Sequence, residues 1–192
     1  MLSVIAAAAI ATLLLAAMAV VGLERGWWRV AHPAPRRFPV WGVDVSHHQG
    51  HIDWARVARE PHLAFAYIKA SEGSDWTDSR FRDNASGARA AGLRVGAYHF
   101  FGFCSSGREQ AAHFLSVTSA ERGDPLCDPR GYGAFFAHEQ IPAPLWIRSL
   151  WGEPRVGSWA IWQFANRAHV SGIEPYVDLD VLGEEVDLRP FQ

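Results

Sequence analysis

Cysteine is nearly absent from this chain. Only Cys104 and Cys127 occur, so no disulfide scaffold holds the fold and a single bridge is the most that export would allow. A basic block is missing too: 18 Lys and Arg stand against 20 Asp and Glu, scattered rather than clustered, which excludes nucleic acid as a partner because its phosphates call for concentrated positive charge. The glycines form neither Gly-x-Gly-x-x-Gly nor a phosphate loop, and no Gly-x-Ser-x-Gly surrounds Ser46, Ser105 or Ser106. Nucleotide chemistry and acyl transfer both lose support. His47 and His48 are adjacent and are expected on opposite faces of an extended chain. Nothing elsewhere adds a His-x-x-x-His or Cys-x-x-Cys pair, and His99 reads as a satisfied hydrogen bonder, so neither a metal nor a cofactor is expected.

What is present is apolar and aromatic. Hydrophobic residues make up 49% of the chain, enough for one sizeable core. Nine tryptophans and eleven phenylalanines serve mainly as core, with a surplus of flat rings on which sugars can stack. Leu2 to Leu23 carry no charge and only Ser3 and Thr12 as polar side chains, close to the ~20 apolar residues that cross a bilayer as a helix. Residues 1–23 are therefore a transmembrane anchor or a signal segment. Ala17-Met18-Ala19 resembles a cleavage site, but the apolar run continues past it to Leu23, which favours the anchor. Arg25, Arg29, Arg36 and Arg37 come after the run and no basic residue precedes it, a bias that opposes export of the C-terminal part. Residues 24–38 are rich in Pro and Arg and read as a linker. The folded domain is expected over 39–192.

Within that domain the periodicity alternates. Strands are predicted over Val40 to Val45, Leu63 to Ala70 and Leu93 to Phe101, with helices over Trp54 to Glu60, Asp78 to Ala91 and Gly107 to Ala120. Three further strands are predicted over Leu145 to Leu150, Ser158 to Phe164 and Tyr176 to Val181. Strands apolar on both faces and spaced a helix apart predict parallel βαβ units, whose functional groups collect at the carboxyl ends of the strands. Those ends carry Asp44, then Lys69 with Ser71 and Glu72, then Tyr98-His99, then Gln163 and Asp178.

A carboxylate at a strand mouth is costly to desolvate unless it is paired or used. Asp44, in WGVDVSHHQGHIDW, is the sharpest such residue; its structural alternative is to accept backbone hydrogen bonds or to cap the next turn through Ser46. Glycosidic hydrolysis needs one carboxylic acid for the leaving oxygen and a second group to stabilise or attack the developing cation, on a platform that grips sugar. Asp44, Glu72 and Asp178 supply carboxylates from three strand ends. Tyr67, Lys69, Tyr98, Phe100 and Trp162 surround them as candidate substrate-binding residues.

These stretches resemble a known family. WGVDVSHHQGHIDW, FAYIKASEGSDWTDSRF and NASGARAAGLRVGAYHFF are similar to the first three βα units of glycoside hydrolase family 25, the muramidases, and WAIWQFANRAHVSGIEPYVDLDVL is similar to its final two strands. The resemblance implies an α/β fold, a (β/α) barrel of the TIM type. It implies cleavage, without metal or cofactor, of the β-1,4 bond between N-acetylmuramic acid and N-acetylglucosamine, with peptidoglycan glycan strands as partner. It assigns Asp44 to the active-site aspartate of Asp-Val-Ser and Asp178 to the aspartate of the last strand, and it puts Tyr67, Lys69, Glu72, Tyr98 and Trp162 in the groove. The expected location is membrane-anchored facing the cell wall, or secreted. One departure stands out: the family's fourth strand ends in Asp-x-Glu, whose glutamate is taken as the general acid, and this chain has no Asp-x-Glu. Pro125-Leu126-Cys127-Asp128 reads as the stump of that strand, with Arg130 where the glutamate belongs. Glu72 and Glu139 are the available substitutes. The domain is also shorter than the ~200 or more residues of an eight-unit barrel, so the barrel is expected to be incomplete around its fourth and fifth units. A wall-binding module without turnover is the rival reading.

Overall fold

A computed structural model describes residues 2–118, 145–155 and 159–184. Its elements are α1 (Leu2–Glu24), β1 (Trp41–Val45), α2 (Trp54–Val57), β2 (Leu63–Glu72), β3 (Trp76–Thr77), α3 (Phe81–Ala90), β4 (Arg94–Phe100), α4 (Gly107–Val117), β5 (Trp146–Arg148), β6 (Ile161–Val170) and β7 (Ile173–Leu182). Helix starts follow local chemistry. Asp53 caps α2 by accepting from the Arg56 N–H, and Ser106 with Glu109 forms a reciprocal capping box on α4. After α3 the chain turns at Gly92 with φ +86°, a conformation glycine adopts without Cβ strain.

The strands form one mixed sheet in the order β4-β2-β1-β7-β6-β5, with β3 added to the end of β2. The β1/β2, β2/β4 and β5/β6 pairs are parallel. The expectation of parallel strands throughout fails at β7, which runs antiparallel to both β1 and β6. The reason is the connection: Ser171 and Gly172 alone join β6 to β7, with Gly172 at φ +97°. Two residues close a hairpin, whereas a parallel crossover needs a dozen or more.

The sheet curls into a half-barrel. Trp146, on β5 at one edge, packs 5.2 Å from the Tyr67 ring on β2 and 5.6 Å from the Tyr98 ring on β4 at the other edge. Phe65, Tyr67, Trp146, Ile161 and Leu182 fill this concave side. Val43, Val45, Ile68, Leu179 and Val181 face the convex side, where Trp54, Val57, Ala85 and Ala88 of the helices cover them. Gly42 and Gly96 lie under the aromatic rings; a Cβ there would stand 2.1 Å from the Phe65 ring and 2.0 Å from the Tyr67 ring.

Residues 25–40 contain no helix or strand, as their prolines require. They nevertheless lie against the domain. Phe38 is buried 5.8 Å from the Trp162 ring, and Arg37 bonds both Glu153 and Glu184.

Candidate active site

On β1 and β7 the antiparallel register sets Asp44 opposite Asp178 and Gly42 opposite Asp180. On β6, Gln163 lies opposite Asp180. Strand alternation then directs Asp44, Asp178, Asp180 and Gln163 to the same concave face. One amide nitrogen ties them together: Gln163 Nε2 donates to Asp44 Oδ2 at 2.6 Å and to Asp178 Oδ2 at 2.8 Å. The two carboxylate oxygens are therefore no farther apart than the sum of those distances.

Asp180 is the residue that sequence reading missed. It is fully buried; its Oδ1 accepts from Trp146 Nε1 at 3.0 Å. Burial pushes its carboxyl well above the ordinary carboxylate range, with the charges of Asp44 and Asp178 adding to the rise. Contact with Asp44 raises Asp180 further, and the same contact acts to lower Asp44. Burial first and the Asp178 charge second still hold Asp44 well above its ordinary value, against the bonds from Gln163 and Asp180 and the Arg148 charge. Burial and the same carboxylates raise the Tyr98 hydroxyl, so it stays a neutral phenol, able to donate. The missed signal was period two: Asp180 lies two residues after Asp178 and shares its face.

The carboxyl cluster has a pH signature. In the folded state Asp180 keeps a proton that the unfolded chain releases above ~3.9. Its contribution to stability is thus fully present below the unfolded value and is lost as pH rises through the folded one. An Asp180→Asn chain retains a donor to Asp44 and an acceptor for Trp146 but lacks this proton. We expect its melting temperature to exceed the parent's at neutral pH. We also expect the fall of stability with rising pH to be shallower by up to about 1.4 kcal/mol per pH unit, read from thermal unfolding across a pH series; an unchanged slope would place the proton elsewhere.

At the rim, Lys69 is only 6% exposed. Its ammonium bonds Glu72 Oε2 at 2.5 Å and lies 4.6 Å from the Phe100 ring centre and 5.0 Å from that of Trp76. Glu72 is thus the counter-ion of Lys69. Asp78 anchors the loop after β1, accepting from both the backbone N–H and Nδ1 of His47 at 2.9 Å. His47 and His48 do not diverge as expected: Ser46 caps a single 3-10 turn over His47–Gln49, which brings their rings within 4.0 Å. Tyr67, Lys69, Tyr98 and Phe100 thus share the concave side and rim with the carboxylates. Trp162 does not join them. It alternates with Gln163 on β6 and packs on the convex side with Phe38, Trp159 and Phe164, its Nε1 donating to the Ser149 carbonyl.

On the opposite side of β2 and β4, His99 has partners for both ring nitrogens. Gln110 Oε1 lies 3.1 Å from Nε2 and Ser71 Oγ 2.8 Å from Nδ1. Gln110 Oε1 can only accept, so Nε2 carries the proton and Ser71 donates to Nδ1. Burial lowers the His99 pKa, in keeping with this neutral ring that pins α4 to the sheet.

Comparison with other proteins agrees with this geometry. Residues 43–126 match glycosyl hydrolases family 25. The uncharacterized protein YegX of Escherichia coli O157:H7 is 30% identical over 203 residues, covering 82% of this chain and 75% of that protein. A solved family 25 glycosyl hydrolase from Bacillus anthracis superposes with a TM-score of 0.71 at 27% identity, over 83% of this chain and 94% of that one. The chain belongs to glycosyl hydrolases family 25. Lysozyme M1 of Streptomyces globisporus is 49% identical over 78 residues, which are 40% of this chain and 26% of that protein. The family 25 match includes Asp44, Tyr67, Lys69, Glu72, Tyr98 and Phe100 and ends before Gln163, Asp178 and Asp180. Cys127, Asp128, Arg130 and Glu139 lie outside the described residues; Cys104 is exposed.

Proposed function

We propose that this family 25 chain is a peptidoglycan muramidase, hydrolysing the β-1,4 bond between N-acetylmuramic acid and N-acetylglucosamine. The observation that carries the reading is the single Gln163 amide joining Asp44 to Asp178 on the concave face. Two carboxylates so held present negative charge to one point, where an oxocarbenium-like transition state gains most from it. Tyr98 and Phe100 offer ring faces for the glycan, above the buried Tyr67 ring. Lys69, steadied by Glu72, offers a charged donor at the rim. In this proposal Glu72, held by Lys69 at the rim, takes the part of the missing Asp-x-Glu glutamate. The finer architecture in this proposal is a (β/α) barrel incomplete around its fourth and fifth units, on residues 39–192. In the same proposal residues 1–23 form an anchor or signal and 24–38 the connecting segment, with the domain membrane-anchored facing the cell wall or secreted. Support for the anchor is that Ile5–Leu23 forms a helix long and apolar enough to cross a bilayer.

The absence of Asp-x-Glu from the sequence favours one rival, a wall-binding module without turnover. Turbidity of purified cell walls and co-sedimentation with the same walls separate the two. We expect the suspension to clear; binding without clearing would establish the module instead.

A further inference from the structure

The cations of the concave side are held differently. Lys69 bonds Glu72. Arg148 is half-buried, and its guanidinium has neither a hydrogen bond nor an ion pair with any described residue. It is the last residue of β5 and pairs with Gln163 across the parallel β5/β6 register. Residues paired in this way share a face, and neighbouring strands stand about 4.8 Å apart, so Arg148 lies beside the amide that joins Asp44 to Asp178. The Ser149 N–H, bonded to the Gln163 carbonyl at 3.0 Å, fixes the register there. Trp146, two residues earlier, shares the face and bonds Asp180. Because β7 is antiparallel to both β6 and β1, the strands β5, β6 and β1 run in one direction, and Arg148 reaches the same rim as Asp44. Its charge acts on the Asp44 carboxyl only after burial, the Asp178 charge and the bonds from Gln163 and Asp180. Arg148 is a neighbour of that carboxyl and not its counter-ion.

Chemistry selects the ligand. A guanidinium presents its N–H donors in a rigid fork that fits a carboxylate at two points. Partial burial takes water from those donors, and an acceptor on the ligand restores the lost bonds. In the muramidase reading, on which this inference rests, muramic acid is one of the two sugars whose bond lies over Asp44 and Asp178. That sugar differs from N-acetylglucosamine by a lactyl acid, which is either free or joined to a peptide with carboxylates of its own. Beside two aspartates such an anion is repelled unless a cation stands with it. We propose that Arg148 is a specificity residue that binds a carboxylate carried by the muramic acid unit, so that the groove takes acidic glycan strands in preference to neutral ones.

The test offers the full chain soluble glycan strands with their peptides kept or removed, each with its carboxylates left ionised or converted to methylamides. Affinity is read from tryptophan fluorescence and cleavage from new reducing ends. We expect the parent to bind the ionised form roughly tenfold more tightly than the methylamide. A preference seen on stripped strands assigns the lactyl carboxylate; one confined to peptide-bearing strands assigns the peptide. Arg148→Met should bring the ratio of affinities to about one, and Arg148→Lys, which keeps the charge without the fork, should fall between. Loss of the Arg148 charge also acts on Asp44, but that effect falls on ionised and amidated strands alike and leaves the ratio unmoved. A parent indifferent to amidation overturns the proposal, as do Arg148→Met and Arg148→Lys chains that keep the parental ratio. Binding without cleavage overturns the muramidase reading alone, and the ratio of affinities then still decides the role of Arg148. A parent that binds no strand overturns both.

Discussion

Asp44→Asn should reduce the rate of wall clearing by ~10²–10⁴-fold while raising the melting temperature. The loss follows from position. Asp44 shares the Gln163 amide with Asp178, and removing a charge aimed at a developing cation costs on this scale. The gain in stability follows from burial, because a desolvated carboxyl facing the Asp178 charge is costly to the fold. Asparagine keeps an acceptor for Gln163 and removes that charge. Clearing rates and thermal unfolding on the same preparations decide the matter. A variant that still clears walls at the parental rate removes Asp44 from the chemistry; one that melts earlier contradicts the electrostatic reading of its burial.

The second large effect is structural. In Gly96→Val the new Cβ would stand 2.0 Å from Tyr67 Cε1, and Tyr67 cannot yield because it is buried between Phe65 at 5.7 Å and Trp146 at 5.2 Å. Overpacking a closed aromatic layer costs about 3 kcal/mol, or roughly 6–12 °C in melting temperature for a domain of this size. Gly152→Ala is the control, since nothing lies within 4 Å of its Cβ position, and its melting temperature should match the parent. If the two variants melt together, the concave side is not packed as described.

The first half of the domain was legible in the sequence because its strands are apolar on both faces and its helices carry their own caps. Leu63–Glu72 and Arg94–Phe100 lie where the apolar runs place them, and Ser106 announces α4. The hairpin was missed although Ser171-Gly172 is a two-residue turn signal; the βα rhythm of the earlier chain suggested a crossover that two residues cannot make. Trp162 was misjudged for a related reason. An aromatic residue at a strand end suits either face, and only the pairing of Gln163 with Asp180 shows which one it occupies.

The residues themselves determined that a carboxylate ends β1, that others end β7, and that an apolar helix precedes the domain, since composition and short-range periodicity are properties of neighbouring side chains. Tertiary structure alone decided that Asp44, Asp178 and Asp180 meet around Gln163, and that Trp151 and Trp28 line one cavity. Those meetings depend on strand register and sheet curvature. A one-residue slip in either would turn the same carboxylates to the convex side, so their placement is a property of the packed sheet, beyond what any one segment encodes.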